Sequence, residues 1–392
     1  MSPPRVPRVL LVCSGLDHAR RGYETFAREC FEHLRDDPGV EIELVKGSGG
    51  RGDGERVAPT LRRDRWLARG LGRALGVRPF RIEALAFAAS LQPLLARRRP
   101  HVVYLSEWDT ARGLAALRSL TPPRFRLLLC NGGFAQRGFE HLDHVQELTP
   151  AAREHVLALG ADPARHTVLP LGFAIPRELS LPSAGEREAL RARWGLPPRR
   201  PILASVAALN RSHKRLDYLI DELAALPPPR PFLLAVGEPD AETPALRARA
   251  AERLGPESHR FLTVAPDEVA ELLRASDSFV LASLAEMQGR AVIEAMGVGL
   301  PCLAHDSPVM RFAVGEHGTL ADLTRPGAVT RLLAGGWPPL DPVAAQRRHR
   351  HAYERFSWDV LGPRYVALLS EVAFGASANR IVSSSTGAKL SR

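Results

Sequence analysis

Two acidic residues, Glu286 and Glu294, are separated by seven residues, and Gly289 lies between them. The apolar residues before Ser283 predict a strand that ends there, and the pattern after Gly289 predicts a helix. Backbone N–H groups at a helix start bind anions, and a glycine there lets a phosphate approach closely. Two carboxylates beside such a cradle accept hydrogen bonds from sugar and ribose hydroxyls, so the segment fits a nucleotide-sugar. The strand–loop–helix context and the closing residues 299–301 favour this site over two solvent-facing glutamates.

Lysine is rare in this chain, because only Lys46, Lys214 and Lys389 are lysine among the 53 basic residues. A generic surface cation would be arginine here, so Lys214, just before a predicted helix, is a candidate partner for a diphosphate. The alternative is a surface lysine at a helix start.

Short apolar runs alternate with helical patterns along the chain, which predicts an α/β protein with parallel sheets and crossover helices. The predicted strands fall into two series, 6–14, 40–45, 101–106, 125–130 and 166–170, then 202–208, 231–236, 260–264, 278–282 and 301–304. Doubly wound sheets bind ligands at the carboxyl ends of their strands, so chemistry is expected in the loops that follow them.

The segment around Glu286 and Glu294 resembles the E-x7-E signature of retaining glycosyltransferase family 4, whose members have the GT-B fold. Other stretches resemble motifs of this family in the same order along the chain, namely Arg21-Gly22-Tyr23-Glu24, 166–172, 202–209 with 214–219, and Phe356-Ser357-Trp358. The resemblance implies two doubly wound Rossmann-like domains that face a central cleft, with a C-terminal helix crossing back to the first domain. It also implies transfer of a sugar from a nucleotide-sugar donor to a hydroxyl acceptor, with retention of the anomeric configuration.

The same resemblance implies the division into domains. Residues 1–175 would form an acceptor-binding domain and 176–345 a nucleotide-sugar donor-binding domain. The terminal helices, 346–375, would return to the first domain. The tail 376–392 is polar and Ser-rich, and it is expected to be disordered.

The resemblance further assigns roles to individual residues. Glu286 would orient the sugar hydroxyls, Glu294 would bind the ribose, and Lys214 would meet the charge of the leaving diphosphate. The donor-binding set is completed by Arg211, Gln288, Gly289, Arg290 and Val292.

This chain departs from the family pattern at two positions. Members of the family usually carry an arginine that binds the diphosphate together with the lysine. In this chain that position is Ala208, and Arg211 is the nearby substitute. The family histidine after a first-domain strand is replaced by Asn131, followed by two glycines. Asn131 either hydrogen-bonds the substrate or belongs to a turn made by the glycine pair. His18, in the first βα loop, is the alternative imidazole, although a lone loop histidine more often has no catalytic role.

Metal and cofactor requirements follow from the absence of a D-x-D sequence in the chain. The paired-aspartate metal site of GT-A enzymes is therefore not expected, and transfer is predicted to be metal-independent. No cofactor is predicted, because the nucleotide-diphosphate sugar is a substrate. By resemblance, the leaving phosphate takes the acceptor proton on the same face of the sugar, through an oxocarbenium-like transition state.

Other classes of function fit less well. A dinucleotide oxidoreductase would need G-x-G-x-x-G in the first turn, between Gly15 and Gly22, and the pattern is missing there. A GT-B nucleotide-sugar epimerase or a glycan phosphorylase stays open as the alternative. A two-lobed binding protein would need an export signal, and nucleic-acid binding would need aromatic residues among the arginines.

Length and composition are those of a soluble globular protein with two domains, since the 392 residues are 45% apolar and 24% charged. No apolar run approaches the roughly 18 residues of a transmembrane helix. The cysteines lie far apart within apolar segments and predict buried free thiols in a reducing cytoplasm, not disulfides or a zinc site: Cys13, Cys30, Cys130 and Cys302.

Positive charge is concentrated in residues 51–100, where twelve arginines and four acids leave +8 of the chain's net +10. Within 60–75, Leu67, Leu71 and Leu75 share one helical stripe, and the arginines lie largely off it. We predict that this stripe packs on the first sheet. The alternative is peripheral contact of this helix with an anionic membrane at its inner face, where the acceptor would be lipid-linked and not a soluble glycan or small molecule.

Overall fold

A computed structural model of the chain describes residues 5–19, 22–120, 124–133, 139–335 and 341–375. The chain divides into two compact units, one formed by Met1–Gly172 with Trp358–Arg392 and the other by Phe173–Ser357. Arg21, which belongs to one of the predicted motifs, and the tail predicted to be disordered lie outside the described residues.

The first unit is built on a seven-stranded parallel sheet with strand order β3-β2-β1-β4-β5-β6-β7. The strands are β1 (Arg8–Cys13), β2 (Glu41–Lys46), β3 (Glu55–Val57), β4 (Val102–Leu105), β5 (Arg126–Asn131), β6 (His144–Glu147) and β7 (His166–Val168). The helices between them are α1 (Gly22–Leu34), α2 (Trp66–Leu75), α3 (Pro79–Ser90), α4 (Gln92–Arg98), α5 (Trp108–Leu117) and α6 (Pro150–Ala158). The order reverses between β1 and β4, and sheets of this kind bind ligands at the loops beyond such a switch point.

The second unit is built on a six-stranded parallel sheet with strand order β10-β9-β8-β11-β12-β13. The strands are β8 (Ile202–Val206), β9 (Phe232–Val236), β10 (His259–Leu262), β11 (Ser278–Leu281), β12 (Cys302–His305) and β13 (Thr319–Ala321). The helices are α7 (Ala184–Arg193), α8 (Leu216–Ala224), α9 (Thr243–Leu254), α10 (Val269–Ala275), α11 (Arg290–Gly297), α12 (Pro308–Val314), α13 (Ala328–Ala334) and α14 (Pro342–Phe356). The predicted fold class, two doubly wound Rossmann-like units, is confirmed.

The last two helices belong to different units. In the second unit, α14 buries one face and its Arg348 Nε donates to the carbonyl of Gly299 at 2.8 Å. The final helix, α15 (Trp358–Phe374), packs in the first unit with Tyr365 buried. The predicted return to the first unit is at residue 346, whereas the chain returns twelve residues later because the buried face of α14 rests on α11.

The helix α2 is oriented differently from the prediction. Leu67, Leu71 and Leu75 are exposed, so the prediction that they pack on the first sheet is wrong. The face that α2 buries carries Ala68 and Gly72. A Cβ atom at Gly72 would lie 2.7 Å from a backbone oxygen of the following turn, so only a very small residue fits where the helix approaches that turn. Close backbone packing therefore selects the small residues and turns the leucines outward.

No helix among the described residues is long and apolar enough to cross a bilayer. The four cysteines are free and buried, as predicted. Burial raises the pKa of the Cys130 thiol and that of the Cys302 thiol to about 12, so both thiols stay protonated at neutral pH.

The strand β6 is polar, and its polar side chains are buried. Gln146 Nε2 donates to the carbonyl of Leu169 at 2.7 Å and to the Tyr365 hydroxyl at 2.9 Å. His144 Nε2 lies 2.9 Å from Thr167 Oγ1 on the neighbouring strand β7. Such a strand is stable inside a sheet only because each polar group finds a partner there.

The imidazole of His144 makes the first unit sensitive to mild acid. Burial, with a smaller effect of neighbouring His166, lowers the pKa of His144 from 6.5 to about 4. The unfolded chain thus takes up this proton at higher pH than the folded chain. The neutral imidazole contributes fully to stability above pH 6.5, and its contribution is lost as the pH falls from 6.5 towards 4, about 3 kcal/mol in all.

We therefore expect the melting temperature of His144→Gln to fall less between pH 7 and pH 5 than that of the wild type. The exposed His155 of α6, replaced in the same way, is the matched control and should keep the wild-type slope. Thermal melts at half-unit pH steps measure the difference, and parallel curves for all three proteins would contradict the role given to His144.

Candidate functional site

Lys214 lies in the loop between β8 and α8, and local hydrogen bonds fix its backbone. Asn210 Oδ1 accepts hydrogen bonds from the backbone amides of His213 at 3.3 Å and of Lys214 at 2.9 Å. The next residue, Arg215, has a left-handed backbone with φ of 52°, which is uncommon outside glycine. Its Nη1 donates to the carbonyl of Leu323 at 2.7 Å and so holds the end of the loop against the sheet.

The loop after β11 carries Glu286 and leads into α11. Gly289, the residue before the helix, has a φ of 76°, a left-handed conformation that favours glycine. The helix that follows this turn has eight residues, and the N–H groups at its start, together with the helix dipole, can meet an anion. Gln288 is buried in the same turn, with 2% of its surface exposed.

The two loops meet, because Lys214 Nζ lies 2.5 Å from Glu286 Oε1. The side chains are 18% and 13% exposed, so the pair is partly shielded but still reachable from solvent. Strand β8 pairs with β11 at the centre of the second sheet, and the strand order reverses between them. The ion pair therefore lies at the switch point of the second sheet, where α/β folds of this type bind ligands.

Glu294 lies one turn inside α11, on the side of Arg290. Arg290 Nη2 donates to Glu294 Oε1 at 3.3 Å, and its guanidinium lies 4.7 Å from the centre of the Phe173 ring. The carboxylate is 32% exposed and is held in place by the arginine. Val292 faces the other way: its side chain is fully buried, and its amide donates to the carbonyl of Gly289 at 3.0 Å.

Arg211 does not join Lys214 at the ion pair. Its backbone amide and that of Ser212 donate to Glu242 Oε2 at 2.7 and 3.0 Å, and its side chain is 68% exposed beside the same carboxylate. These two amides lower the pKa of the Glu242 carboxyl. Ala208, where the family arginine falls, is exposed at the start of the loop. Lys214 is thus the cation that faces Glu286.

In the first unit, Asn131 is the last residue of β5, and both the nitrogen and the oxygen of its side-chain amide form hydrogen bonds. Its Nδ2 donates to Glu147 Oε2 at 2.8 Å, and its Oδ1 accepts from the amide of Gly133 at 3.3 Å. Glu147 Oε1 in turn lies 2.9 Å from His166 Nδ1. Asn131 is 1% exposed, so it joins the ends of β5 and β6 from inside, and Glu147 extends these bonds to the start of β7.

His18, in the loop after β1, is also held from both sides. Its Nδ1 lies 2.8 Å from Ser48 Oγ and its Nε2 lies 2.6 Å from Glu83 Oε1, and the side chain is 1% exposed. Arg63 donates to the other oxygen of Glu83 from its backbone amide at 3.1 Å and from its side chain. The imidazole therefore belongs to a buried network that joins the loops after β1, β2 and β3 to α3.

A second buried carboxylate, Glu107, lies at the same edge of the first sheet. It accepts from Ser14 Oγ at 2.6 Å and from Thr110 Oγ1 at 2.9 Å. Burial raises the pKa of this carboxyl, and the bonds from Ser14 only partly offset that effect. Sequence reasoning missed Glu83, Glu107 and Arg63, although the position of Glu107 directly after β4 was a usable signal.

One group of potential metal ligands occurs among the described residues, formed by Cys13, Glu24 and Glu107, whose ligand atoms lie within 4.8 Å of one another. All three side chains are buried, and burial raises the pKa of the Cys13 thiol well above its ordinary value. The thiol is therefore protonated at neutral pH, and Glu107 already binds two hydroxyls.

The segment that carries the ion pair is similar in sequence to known proteins. Residues 186–333 match the family model described as glycosyl transferases group 1. Over 228 residues the chain is 32% identical to the D-inositol 3-phosphate glycosyltransferase of Rhodococcus opacus, covering 55% of this chain and 50% of that protein. It is 27% identical over 365 residues to the protein of the same name from Gordonia bronchialis, covering 82% and 78%. The match to the first relative thus spans about half of its length.

The fold has solved counterparts. HepE from Anabaena, crystallised with UDP and glucose, aligns over 93% of this chain and 100% of its own with a TM-score of 0.73. The sequence identity is 17%, so this likeness concerns the fold, which is that of the GT-B glycosyltransferases.

Proposed function

Because residues 186–333 match the family model of the group 1 glycosyl transferases, we propose that this protein transfers a sugar from a nucleotide-sugar donor to a hydroxyl group. The observation that carries the proposal is the ion pair between Lys214 and Glu286, 2.5 Å apart at the switch point of the second sheet. A cation, a carboxylate and a helix start at one strand edge suit a ligand that is a diphosphate on one side and a sugar on the other.

The diphosphate of the donor would lie against Lys214 and the first N–H groups of α11. The left-handed turn at Gly289 precedes these N–H groups, and a Cβ atom there would clash with the side chain of Met310, so glycine is required at this position. Glu294, held by Arg290, would accept hydrogen bonds from the ribose hydroxyls. The buried Gln288 would fix the turn from below. Val292 and Arg211 drop out of the contacts we propose, because one is buried and the other is bound to Glu242.

Glu286 would orient the hydroxyls of the transferred sugar while Lys214 stabilises the diphosphate as it leaves. We propose that the anomeric configuration is retained. The bond between the anomeric carbon and the phosphate oxygen breaks, the acceptor oxygen bonds to the same face of that carbon, and the leaving phosphate takes the acceptor proton. Charge on the leaving group is met by Lys214 and the start of α11.

The acceptor would be bound by the first unit. There Asn131 and His18 act, in our proposal, as positioning residues that hold the strand-end loops, since both side chains are buried and bonded on both sides. A relative is named for D-inositol 3-phosphate, so a phosphorylated cyclitol is the first acceptor to assay. Glycans, other small molecules and lipid-linked sugars complete the acceptor panel.

The proposal is tested by thermal shift against UDP-, GDP-, ADP- and dTDP-sugars. A donor that binds only the folded state raises the melting temperature by mass action, and we expect one nucleotide class to do so for the wild type but not for Lys214→Ala. A chain that responds to no nucleotide-sugar would contradict the proposal. Epimerised donor without acceptor would indicate an epimerase, and phosphate-dependent release of sugar phosphate would indicate a phosphorylase.

Turnover is expected to be independent of divalent metal, because the charge of the leaving group is met by Lys214 and backbone N–H groups. With the donor identified, initial rates in excess EDTA should equal those in Mg²⁺ or Mn²⁺, and the NMR coupling constant of the new glycosidic bond should match that of the donor. Loss of activity in EDTA that is restored by Mn²⁺ would refute metal independence, and an inverted anomer would refute retention.

We also propose a cytoplasmic location. The four cysteines are free and buried in the described structure, and thiols in that state are typical of a reducing compartment. Fractionation of expressing cells, with a lumenal or periplasmic marker as control, tests this assignment.

A further inference from the structure

The helix α2 presents an apolar face to solvent. Trp66 is 76% exposed, Leu75 65%, Leu67 45% and Leu71 43%. With Leu61, these account for five of the eleven large apolar side chains that are exposed in the described part of the chain. Exposed apolar residues concentrated on one ten-residue helix indicate a surface that is covered in use.

The outward face of α2 has two borders. Leu67, Leu71 and Leu75 follow one another at four-residue intervals along one border, and Trp66 lies between this row and the opposite border. Arg65, Arg69 and Arg73 repeat at the same interval along that second border. The rows are fixed in this orientation because the buried side of the helix carries only alanine and glycine.

The arginine row is not neutralised within the protein. Arg65, Arg69 and Arg73 are exposed and make no ion pair with any carboxylate among the described residues. Their half-buried neighbour Arg62 does bind an acid, Asp64, at 2.7 Å. Residues 61–81 hold seven arginines and a single acid, so the apolar face lies in a strongly positive field.

We propose that the α2 surface, defined as Trp66, the leucine row and the arginine row, docks on an anionic lipid bilayer. The apolar row would enter the boundary between headgroups and acyl chains while the arginines reach the lipid phosphates. A second copy of the chain is a poorer occupant, because a two-fold interface would pair two surfaces that each carry three arginines and no acid. This inference does not rest on sugar transfer, and its test measures binding alone.

Co-sedimentation of the full chain with vesicles tests the docking. We expect pelleting with vesicles of 60% phosphatidylcholine and 40% phosphatidylglycerol at 50 mM salt, weaker pelleting at 150 mM salt, and little with pure phosphatidylcholine. Leu67→Asn/Leu71→Asn should lower the partition coefficient about tenfold or more, and Arg69→Gln/Arg73→Gln should lower it about tenfold.

Matched control variants show whether a loss of vesicle binding is specific to the α2 surface or follows from any comparable loss of exposed leucine or arginine side chains. Leu159→Asn/Leu332→Asn removes two leucines that are 47% and 42% exposed elsewhere, nearly the same exposures as Leu67 and Leu71. Arg347→Gln/Arg350→Gln removes two exposed arginines from α14 in the second unit. Both controls should bind vesicles like the wild type, and all four variants should keep the wild-type melting temperature because the replaced side chains face solvent.

Trp66 gives a second readout within the surface itself. Anionic vesicles should shift the tryptophan emission to shorter wavelength in the wild type and not in Trp66→Phe. The proposal is overturned if no vesicle pellets the protein at either salt, or if the leucine variant binds as tightly as its control. A wild-type dimer in light scattering without lipid, lost in the leucine variant, would overturn it in favour of an interface between copies.

Discussion

Glu286→Ala is expected to lower kcat by about 100-fold to 1,000-fold while the donor Kd changes little. The carboxylate lies 2.5 Å from Lys214 at the strand edge and is only 13% exposed, a geometry suited to orient a reacting sugar. Steady-state kinetics with the identified donor, together with donor titration by calorimetry, separate the two parameters. The exposed Glu252 of α9 provides the control, and its alanine variant should behave like the wild type.

Lys214→Ala should act on donor binding instead, weakening it about tenfold or more, because a charge-assisted bond to the diphosphate is lost. Arg211→Ala is the informative comparison, since its guanidinium faces Glu242 and not Glu286. We expect less than about a threefold change in donor Kd for that variant. An Arg211 variant as impaired as the Lys214 variant would show that the loop rearranges on binding and that Arg211 does take the place of the family arginine.

The double variant of Lys214 and Glu286 tests whether the two residues act as one unit. Since each is the other's partner in the absence of donor, losses in kcat/KM should be less than additive. Fully additive losses would show that the two residues act independently, and an unchanged kcat in the Glu286 variant would remove Glu286 from the reacting sugar.

Arg63→Met should destabilise the first unit by about 3–5 kcal/mol, the usual cost of leaving a buried charge without its partner. The carboxylate of Glu83 is fully buried between His18 and Arg63. Burial alone would raise the pKa of Glu83, yet the bonds from His18 and Arg63 lower it below its ordinary value of 4.5. The carboxylate thus contributes stability above pH 4.5 that is lost as the pH falls through its lowered pKa.

Urea denaturation at pH 7 measures the effect of Arg63→Met. Arg62→Met is the matched control, because its ion pair with Asp64 is exposed and should be worth less than about 1 kcal/mol. In the double variant Arg63→Met/Glu83→Gln much of the lost stability should return, since Glu83 is no longer charged and only Glu107, whose Oε1 lies 3.9 Å from Arg63 Nη2 in the wild type, still lacks this cation. A double variant as unstable as Arg63→Met would show that packing of Arg63 against the Phe80 ring, 4.6 Å away, is the larger contribution.

Much of the fold and part of the site followed from local sequence. The long apolar strands of both sheets are continuous apolar runs, and runs of that length between helical patterns are typical of a parallel sheet covered on both faces. Glu286, Gly289 and Glu294 lie within nine residues of one another, so their placement around a helix start depends on local geometry alone. The rarity of lysine singled out Lys214 without any knowledge of its partner.

Contacts between segments that are distant in the chain could not be predicted from local sequence. Lys214 meets Glu286 across 72 residues and Ser14 meets Glu107 across 93, and only the strand order brings these loops together. The strand β6 shows no apolar run, because its buried polar side chains are satisfied by partners on other elements.

The orientation of α2 was decided by the tertiary structure as well. Periodicity shows that Leu67, Leu71 and Leu75 share a face, but it does not tell which face the rest of the protein covers. The close approach of the backbone after Gly76 leaves no room for a larger residue at Gly72, so the face with Ala68 and Gly72 is buried and the leucines remain outside. A sequence pattern shows which residues share one face of a helix and how polar that face is. The space available beside that face depends on residues from other parts of the chain that pack against it.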